Sequence, residues 1–125
     1  MSSPPSVLPG APRVVVCDYN LLLASVTGLL RMSGYYVFQA YDGQAALELC
    51  TVLPDVRLLV LNTEGTGVDA PWLVREIREL NPNMAVLHIG ETAIPGMPDD
   101  VPNLHDHFTS AELLANVDAL LAPRT

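Results

Sequence analysis

Two polar residues that could do chemistry stand directly after apolar runs of the sequence. Asp18 follows residues 14–17, and Asn62 follows residues 58–61. Their side-chain oxygens, with the Glu64 backbone carbonyl, could bind Mg²⁺ or Ca²⁺, because both ions prefer oxygen ligands. An inward-pointing Asp106 would add a second carboxylate. Alternatively, Asp18 and Asn62 hydrogen-bond each other and nearby backbone amides.

His105, Asp106 and His107 form a second group of residue types that can bind metals. Alternate residues of a strand share one face, and His88 lies in the neighbouring predicted strand. A zinc site needs three or four such ligands, and this spacing supplies no clear set of three. We therefore predict histidines that lie at the surface or are hydrogen-bonded in the core.

The two cysteines, Cys17 and Cys50, are far apart and form no CxxC motif. This spacing indicates neither a zinc site nor a disulfide framework, and it fits a reduced, cytoplasmic setting. Cys17 could sense redox state beside Asp18, but no neighbouring cation is evident that would lower its pKa. We predict that Cys17 is a small buried residue.

The composition of the chain limits its partners and its size class. The 125 residues carry a net charge of -8, with six basic residues and no lysine, so nucleic acid is a poor partner. No apolar run is long enough for a membrane helix, and the N-terminus lacks the features of a signal peptide. We predict a flexible Pro-rich tail at residues 1–12 and one domain at residues 13–122.

Predicted strands and helices alternate along the chain. Apolar runs rich in β-branched and aromatic residues predict strands, and apolar residues at helical spacing predict helices. A capping box at residues 109–112 should open the last helix. The third helix should begin near Pro71 and bury Leu73, Ile77 and Leu80. The predicted strands lie near residues 13–17, 35–38, 58–61, 84–89 and 103–106, and the helices near residues 20–32, 43–53, 71–80 and 110–121.

This alternation predicts an α/β fold, a doubly wound five-stranded parallel sheet with helices on both faces. The chain has no GxGxxG or GxxxxGK[ST] motif, so nucleotide-binding loops are missing. In such sheets the site lies at the carboxyl ends of the strands, between the first and the third, where Asp18 and Asn62 stand. Three prolines between Gly90 and Asp106 should leave the helix between the last two strands, the fourth in a complete fold of this kind, shortened or missing.

Four segments carry a resemblance to a known family. They are VVVCD at the first strand, SGYYVFQAYDGQAAL, LLVLN followed by TGVD, and FTSAELLANVDALL in the last helix. With them the chain resembles the receiver domain of bacterial two-component response regulators from about Arg13 to Leu121. The resemblance implies a flavodoxin-like strand order of 2-1-3-4-5. It also implies phosphoryl chemistry: an acidic pair holds Mg²⁺, an aspartate accepts phosphate from a histidine kinase, and a hydroxyl and a lysine hold the phosphoryl group.

The residues at the matching positions differ from that pattern. An amide at the acceptor position is nearly non-nucleophilic. A carboxylate at the lysine position puts a negative charge where an anionic phosphoryl group needs a cation. The resemblance therefore implies a degenerate phosphoacceptor pocket. Its positions are Cys17 and Asp18 for the acidic pair, Asn62 for the acceptor, Gly90 for the hydroxyl and Asp106 for the lysine.

We predict a stand-alone degenerate receiver, a non-enzymatic and phosphorylation-independent interaction module in bacterial two-component signalling. Its partner would be another signalling protein or a second copy of the chain, bound through apolar surface at residues 21–23 or Trp72. No cofactor is expected beyond a weakly held Mg²⁺ or Ca²⁺. Three alternatives stay open: a phosphorelay receiver whose acceptor has moved to Glu64 or Asp18, a cation-dependent switch, and a small α/β enzyme or flavin binder.

Overall fold

The computed structural model describes residues 11–19, 23–64 and 66–122. Most of the predicted N-terminal tail, residues 1–10, lies outside these ranges. None of the helices in the described ranges has the length and hydrophobicity needed to span a bilayer. The strands are β1 (Arg13–Asp18), β2 (Tyr36–Ala40), β3 (Val56–Asn62), β4 (Ala85–Ile89) and β5 (Asn103–Leu104), and the helices are α1 (Ala24–Met32), α2 (Gly43–Val52), α3 (Ala70–Leu80) and α4 (Ser110–Leu121).

The five strands form one parallel sheet in the order β2-β1-β3-β4-β5. This confirms the predicted doubly wound, flavodoxin-like fold. β1 pairs with β2 on one side and with β3 on the other, so the switch point lies between the carboxyl ends of β1 and β3. The last register pair of these two strands is Asp18 with Asn62.

The central strands are buried on both faces because helices cover both sides of the sheet. Alternate strand residues point to opposite faces. Val15 and Leu59 join a core with α2 and α3, whereas Val16 and Val60 join a core with α1 and α4. All four are fully buried, and burying an aliphatic side chain of this size contributes about 1.5–3 kcal/mol. The two cores therefore fix the register that places Asp18 beside Asn62.

Side-chain caps determine where three of the helices begin. The carboxylates of Asp42 and Asp69 accept the N–H three residues further along, at 2.8 and 3.0 Å. Thr109 and Glu112 form the predicted capping box, with bonds of 2.9 and 3.1 Å. Each cap satisfies an N–H that the first turn of a helix leaves unpaired. The capping box that was predicted to open the last helix is confirmed.

The prediction that Leu80 is buried is wrong, since 51% of Leu80 is exposed. At the end of α3 the inward position belongs to Asn81, whose Nδ2 donates to the Val56 carbonyl oxygen at 2.7 Å. A polar side chain is favoured there because the last turn of the helix leaves the apolar core and meets the backbone at the start of β3.

All five predicted strands differ from the observed ones at one end or both, and for β2 and β5 the structure shows the reason. β2 begins one residue later than predicted, because the Tyr35 N–H still donates to the Leu30 carbonyl oxygen at the end of α1. At its other end β2 continues to Ala40. β5 stops at Leu104 and does not reach Asp106. There the His107 N–H donates to His105 Nδ1 at 3.1 Å and turns the chain.

Residues 90–102 connect β4 to β5 through turns and contain no α-helix. Ile94, Met97 and Val101 pack against the core beneath α2 and α3. Arg78 on α3 binds Asp100 with two hydrogen bonds of 2.9 Å. The connection is therefore attached to the domain without a helix, which confirms that the helix expected between Gly90 and Asp106 is shortened or missing.

Candidate functional site

The candidate site lies where β1, β3 and β4 end side by side. Asp18 and Asn62 close β1 and β3 as register partners, and each is only 1% exposed. Two polar side chains are thus buried at the switch point of the sheet, where residue spacing in the sequence had placed them.

Asn62 bridges two strands with its amide. Its Nδ2 donates to the Ile89 carbonyl oxygen at 2.6 Å, and its Oδ1 accepts the Glu64 N–H at 3.2 Å. Both ends of the amide therefore bind backbone groups. Among the described residues no hydrogen bond joins Asn62 to Asp18, so that part of the prediction is wrong, whereas both side chains accept hydrogen bonds from nearby backbone amides, as the same prediction has it. The amide satisfies buried backbone groups of β4 and of the β3–α3 loop instead.

Asp18 is a buried carboxylate with one oxygen bound and one unpartnered. Oδ2 accepts the Leu23 N–H at 2.9 Å, immediately before α1. Oδ1 is buried and has no hydrogen-bond partner in the described part of the chain. Burying a charge without full hydrogen bonding is costly. This oxygen is therefore the point of the site that attracts a donor or a cation.

Glu64 and Gly90 fit closely together at the end of β4. A Cβ placed on Gly90 would clash with Glu64 Oε1 and lie 2.8 Å from His88 Cε1. The same Glu64 oxygen accepts the Glu91 N–H. The carboxylate thus occupies the space beside the position that the resemblance assigns to a hydroxyl. The Glu64 backbone carbonyl was expected as a cation ligand and its carboxylate as a displaced acceptor, but the contact of that carboxylate with Gly90 was not predicted.

Asp106 reaches the same region from the turn after β5. It borders a cavity of about 140 Å³ between that turn and the ends of β3 and β4. No lysine or arginine is among the described residues that line this cavity, so its fixed charge is negative. The lining residues are Leu23, Asn62, Ile89, Asp106, His107 and Phe108.

Cys17 is fully buried, as predicted, and is a poor redox sensor. Burial, followed by the nearby carboxylates of Asp42 and Asp18, raises the pKa of the Cys17 thiol to about 12. Burial also raises the pKa of the Cys50 thiol to about 11. Both thiols are therefore protonated at neutral pH. Since only the thiolate is reactive and binds metals, neither cysteine has these properties at that pH.

The residues present do not fit the Mg²⁺ that the resemblance implies, and they fit Ca²⁺ no better. Either ion takes about six or more oxygen ligands. Asp18 offers one unpartnered carboxylate oxygen, whereas the Asn62 oxygen already accepts the Glu64 N–H. At the first position of the acidic pair, Cys17 is a neutral thiol. The predicted cation set of Asp18, Asn62 and Glu64 is thus not assembled for a hard divalent ion.

The histidines divide between core and surface. His88 is buried, and its Nδ1 lies 2.5 Å from Asn103 Oδ1. His105 and His107 are exposed on either side of Asp106. The structure therefore does not bring His88 to the other two.

Apolar surface remains exposed at the start of α3. Trp72 is 46% exposed, beside a groove of about 330 Å³ that Tyr19 and Leu47 also line. Leu23, by contrast, is buried, and its neighbours at positions 21 and 22 lie outside the described residues. Of the two predicted interaction surfaces, the one at Trp72 is thus present as exposed surface.

Many solved structures are similar to this chain. A response regulator receiver protein from Sinorhizobium medicae WSM419 has 28% identity and a TM-score of 0.77, over 93% of this chain and 98% of that chain. The receiver domain of the hybrid histidine kinase CckA has 26% identity and a TM-score of 0.72, over 87% and 98%. The chemotaxis protein CheY4 of Vibrio cholerae has 18% identity and a TM-score of 0.78, over 90% of this chain and 100% of that chain. No family model and no curated protein matches the chain.

Proposed function

We propose that this chain is a receiver-like protein-interaction module whose conformation does not depend on phosphorylation. The receiver-like fold suggests two-component signalling as its setting, and receiver domains are in general not enzymes. One observation carries the proposal: two contacts already join the ends of β3 and β4. They are Asn62 Nδ2 with the Ile89 oxygen, and the Glu64 carboxylate with the Glu91 N–H.

The chemistry at the acceptor position supports the loss of phosphoryl transfer. The Asn62 amide is neutral and nearly non-nucleophilic, and its nitrogen is held by the 2.6 Å bond to Ile89. Asp106 adds a negative charge to the adjoining cavity. Phosphoryl transfer depends on neutralising charge, so an anionic phosphoryl group would be repelled from this cavity.

A contact within the chain takes the place of the contact that a phosphoryl group would make. In the family that the chain resembles, the hydroxyl after the fourth strand is drawn toward the phosphoryl group on the third. Here the hydroxyl position is Gly90, and the Glu64 carboxylate lies against it while bound to the next N–H. The ends of β3 and β4 are thus held together by the sequence itself, and no modification is needed.

The proposed partner is another signalling protein or a second copy of the chain. The exposed Trp72 and the groove beside it, lined also by Tyr19 and Leu47, supply the apolar surface for this contact. Aromatic residues are enriched at the centres of protein interfaces, since they bury a large area with few rotatable bonds. The β4–β5 connection contains no helix, so a partner that needs a helix between these two strands is not expected to bind.

Reaction with a small phosphodonor tests the proposal. The protein is incubated with acetyl phosphate and Mg²⁺, and its intact mass is compared with that of a receiver domain that has an acceptor aspartate. We expect no added phosphoryl mass on this chain and a full adduct on the control. A stoichiometric adduct at Asn62 would contradict the proposal. An adduct mapped to Glu64 or Asp18 would instead establish a displaced acceptor.

A further inference from the structure

The turn after β5 brings three potential metal ligands together at the surface. His105 Nδ1 lies 3.3 Å from Asp106 Oδ1, and His107 Nε2 lies 3.8 Å from the same oxygen. One ligand atom from each of the three residues falls within 4.8 Å of the other two. The convergence is a product of the turn, because these residues would point to alternate faces if β5 continued as a strand.

The backbone of the turn holds the two imidazoles on one side of the chain. The His107 N–H donates to His105 Nδ1 at 3.1 Å, and the two ring centroids are 5.1 Å apart. As an acceptor, His105 Nδ1 carries a lone pair, which is what a metal ion requires of an imidazole. The Asp106 carboxylate lies 3.3 Å from the same nitrogen, so both groups are within reach of one cation.

We propose that His105, Asp106 and His107 bind a divalent transition-metal ion of the zinc class. Imidazole and carboxylate together suit Zn²⁺, Ni²⁺ and Cu²⁺, whereas Mg²⁺ and Ca²⁺ prefer oxygen ligands alone. Zinc bonds of about 2.0–2.1 Å in a tetrahedron place the ligand atoms about 3.4 Å apart. The two nitrogen-to-oxygen distances are 3.3 and 3.8 Å, and all three ligand atoms lie within 4.8 Å of one another, so binding draws the two nitrogens closer together. Water completes the coordination, because all three side chains are exposed.

Metal binding breaks one hydrogen bond of the turn, and the other potential ligands of the described residues do not compete for the ion. The metal displaces the His107 N–H from His105 Nδ1, so one exposed hydrogen bond is exchanged for a metal bond. Cys17 and Cys50 do not compete for the ion, because both are buried. His88 is also buried and is bound to Asn103, so it cannot join the site without unfolding β4.

Metal binding would act on the turn that closes the cavity beside Asn62. Asp106 and His107 line that cavity, and Phe108 lies next to them before the Thr109 cap of α4. A metal that ties His105 to His107 would fix the β5–α4 turn and with it one wall of the cavity. This inference does not rest on the proposed interaction function, since it concerns a different set of atoms and a different ligand.

Titration of the untagged protein with zinc chloride tests the inference. Calorimetry should show one Zn²⁺ per chain, with no comparable heat from magnesium chloride. The double variant H105Q/H107Q should lose saturable zinc binding, and Asp106→Asn should weaken it at least about tenfold. All three residues are exposed, so these variants should keep the wild-type circular dichroism spectrum.

The imidazole resonances provide an internal control in the wild-type protein. On addition of zinc, the signals of His105 and His107 should shift together and saturate at one equivalent, while those of the buried His88 stay in place. The inference is overturned if zinc gives no saturable binding or if H105Q/H107Q binds it as tightly as the wild type. It is also overturned if the His88 signals shift as much as the other two.

Discussion

At the scale of single residues, the side chains at the ends of β3 and β4 determine what the site can do. The Asn62 amide is hydrogen-bonded to backbone groups, and the Glu64 carboxylate fills the space beside Gly90. The sequence predicted that Asn62 would lie beside Asp18, because apolar runs place both residues at strand ends. It did not predict the Glu64 contact, because Glu64 lies in a loop where no periodicity fixes the direction of a side chain.

Adding one methyl group at Gly90 should destabilise the protein. Gly90→Ala places a Cβ against Glu64 Oε1 and His88 Cε1, and overpacking of this kind costs about 1–3 kcal/mol. Glu64→Ala removes one of the two clashing groups, so the double variant should recover at least about 0.5 kcal/mol of the summed losses. Urea denaturation of the four proteins measures this coupling. Strictly additive losses would show that the Glu64 carboxylate does not fill the space beside Gly90.

The Cys17 thiol should make the protein less stable at high pH. Burial, with the Asp42 and Asp18 carboxylates, raises the pKa of this thiol from 9.0 to about 12. The folded state then binds more protons than the unfolded state between these values, so stability that is complete below about pH 9 is lost as the pH rises toward 12. Urea denaturation from about pH 8 to pH 11 should show a steeper loss for the wild type than for Cys17→Ala. Parallel curves would contradict the raised pKa.

At the scale of helices and strands, periodicity predicts which elements exist, and local hydrogen bonds decide where they end. Central strands such as β3 were recognised because both of their faces are buried, which gives an uninterrupted apolar run. β5 stops early because the His107 N–H donates to His105 within the turn. Leu80 was misplaced because Asn81 binds the Val56 carbonyl oxygen at the inward position. The Asn81 contact joins segments 25 residues apart and the His107 contact lies within one turn, and neither is marked by apolar periodicity.

The capping box of α4 gives a test at this scale. Thr109→Ala removes the hydroxyl that accepts the Glu112 N–H, and the loss of an N-cap of this kind costs about 1 kcal/mol. Ser110→Ala, one residue further along on the exposed side of the first turn, is the matched control and should change stability by less than about 0.5 kcal/mol. Thermal or urea denaturation measures both. Equal effects would mean that the capping box does not hold the start of α4.

At the scale of the whole molecule, two apolar cores support a receiver-like fold around the site at the ends of β1, β3 and β4. The cores lie on opposite faces of the sheet and do not include the side chains of Asn62 or Asp106. Site residues of this fold can therefore change while the cores and the strand order stay the same. The sequence predicted the parallel sheet and its alternating helices for this reason, since apolar spacing marks the strands and helices, whereas the strand order was implied by the resemblance to receiver domains. The partners of the site side chains depend on contacts between distant segments, which the spacing does not contain.

The proposal that phosphoryl chemistry is lost is tested most directly with a phosphoryl analogue. ¹⁵N-labelled protein is titrated with beryllofluoride and Mg²⁺, and the backbone amide signals of Asn62, Glu64, Gly90 and Glu91 are followed by NMR. We predict no saturable shift of these signals, because Asn62 offers no carboxylate and Glu64 already occupies the space beside Gly90. Saturable shifts at the ends of β3 and β4 would show that the pocket still accepts a phosphoryl group, and would contradict the proposed function.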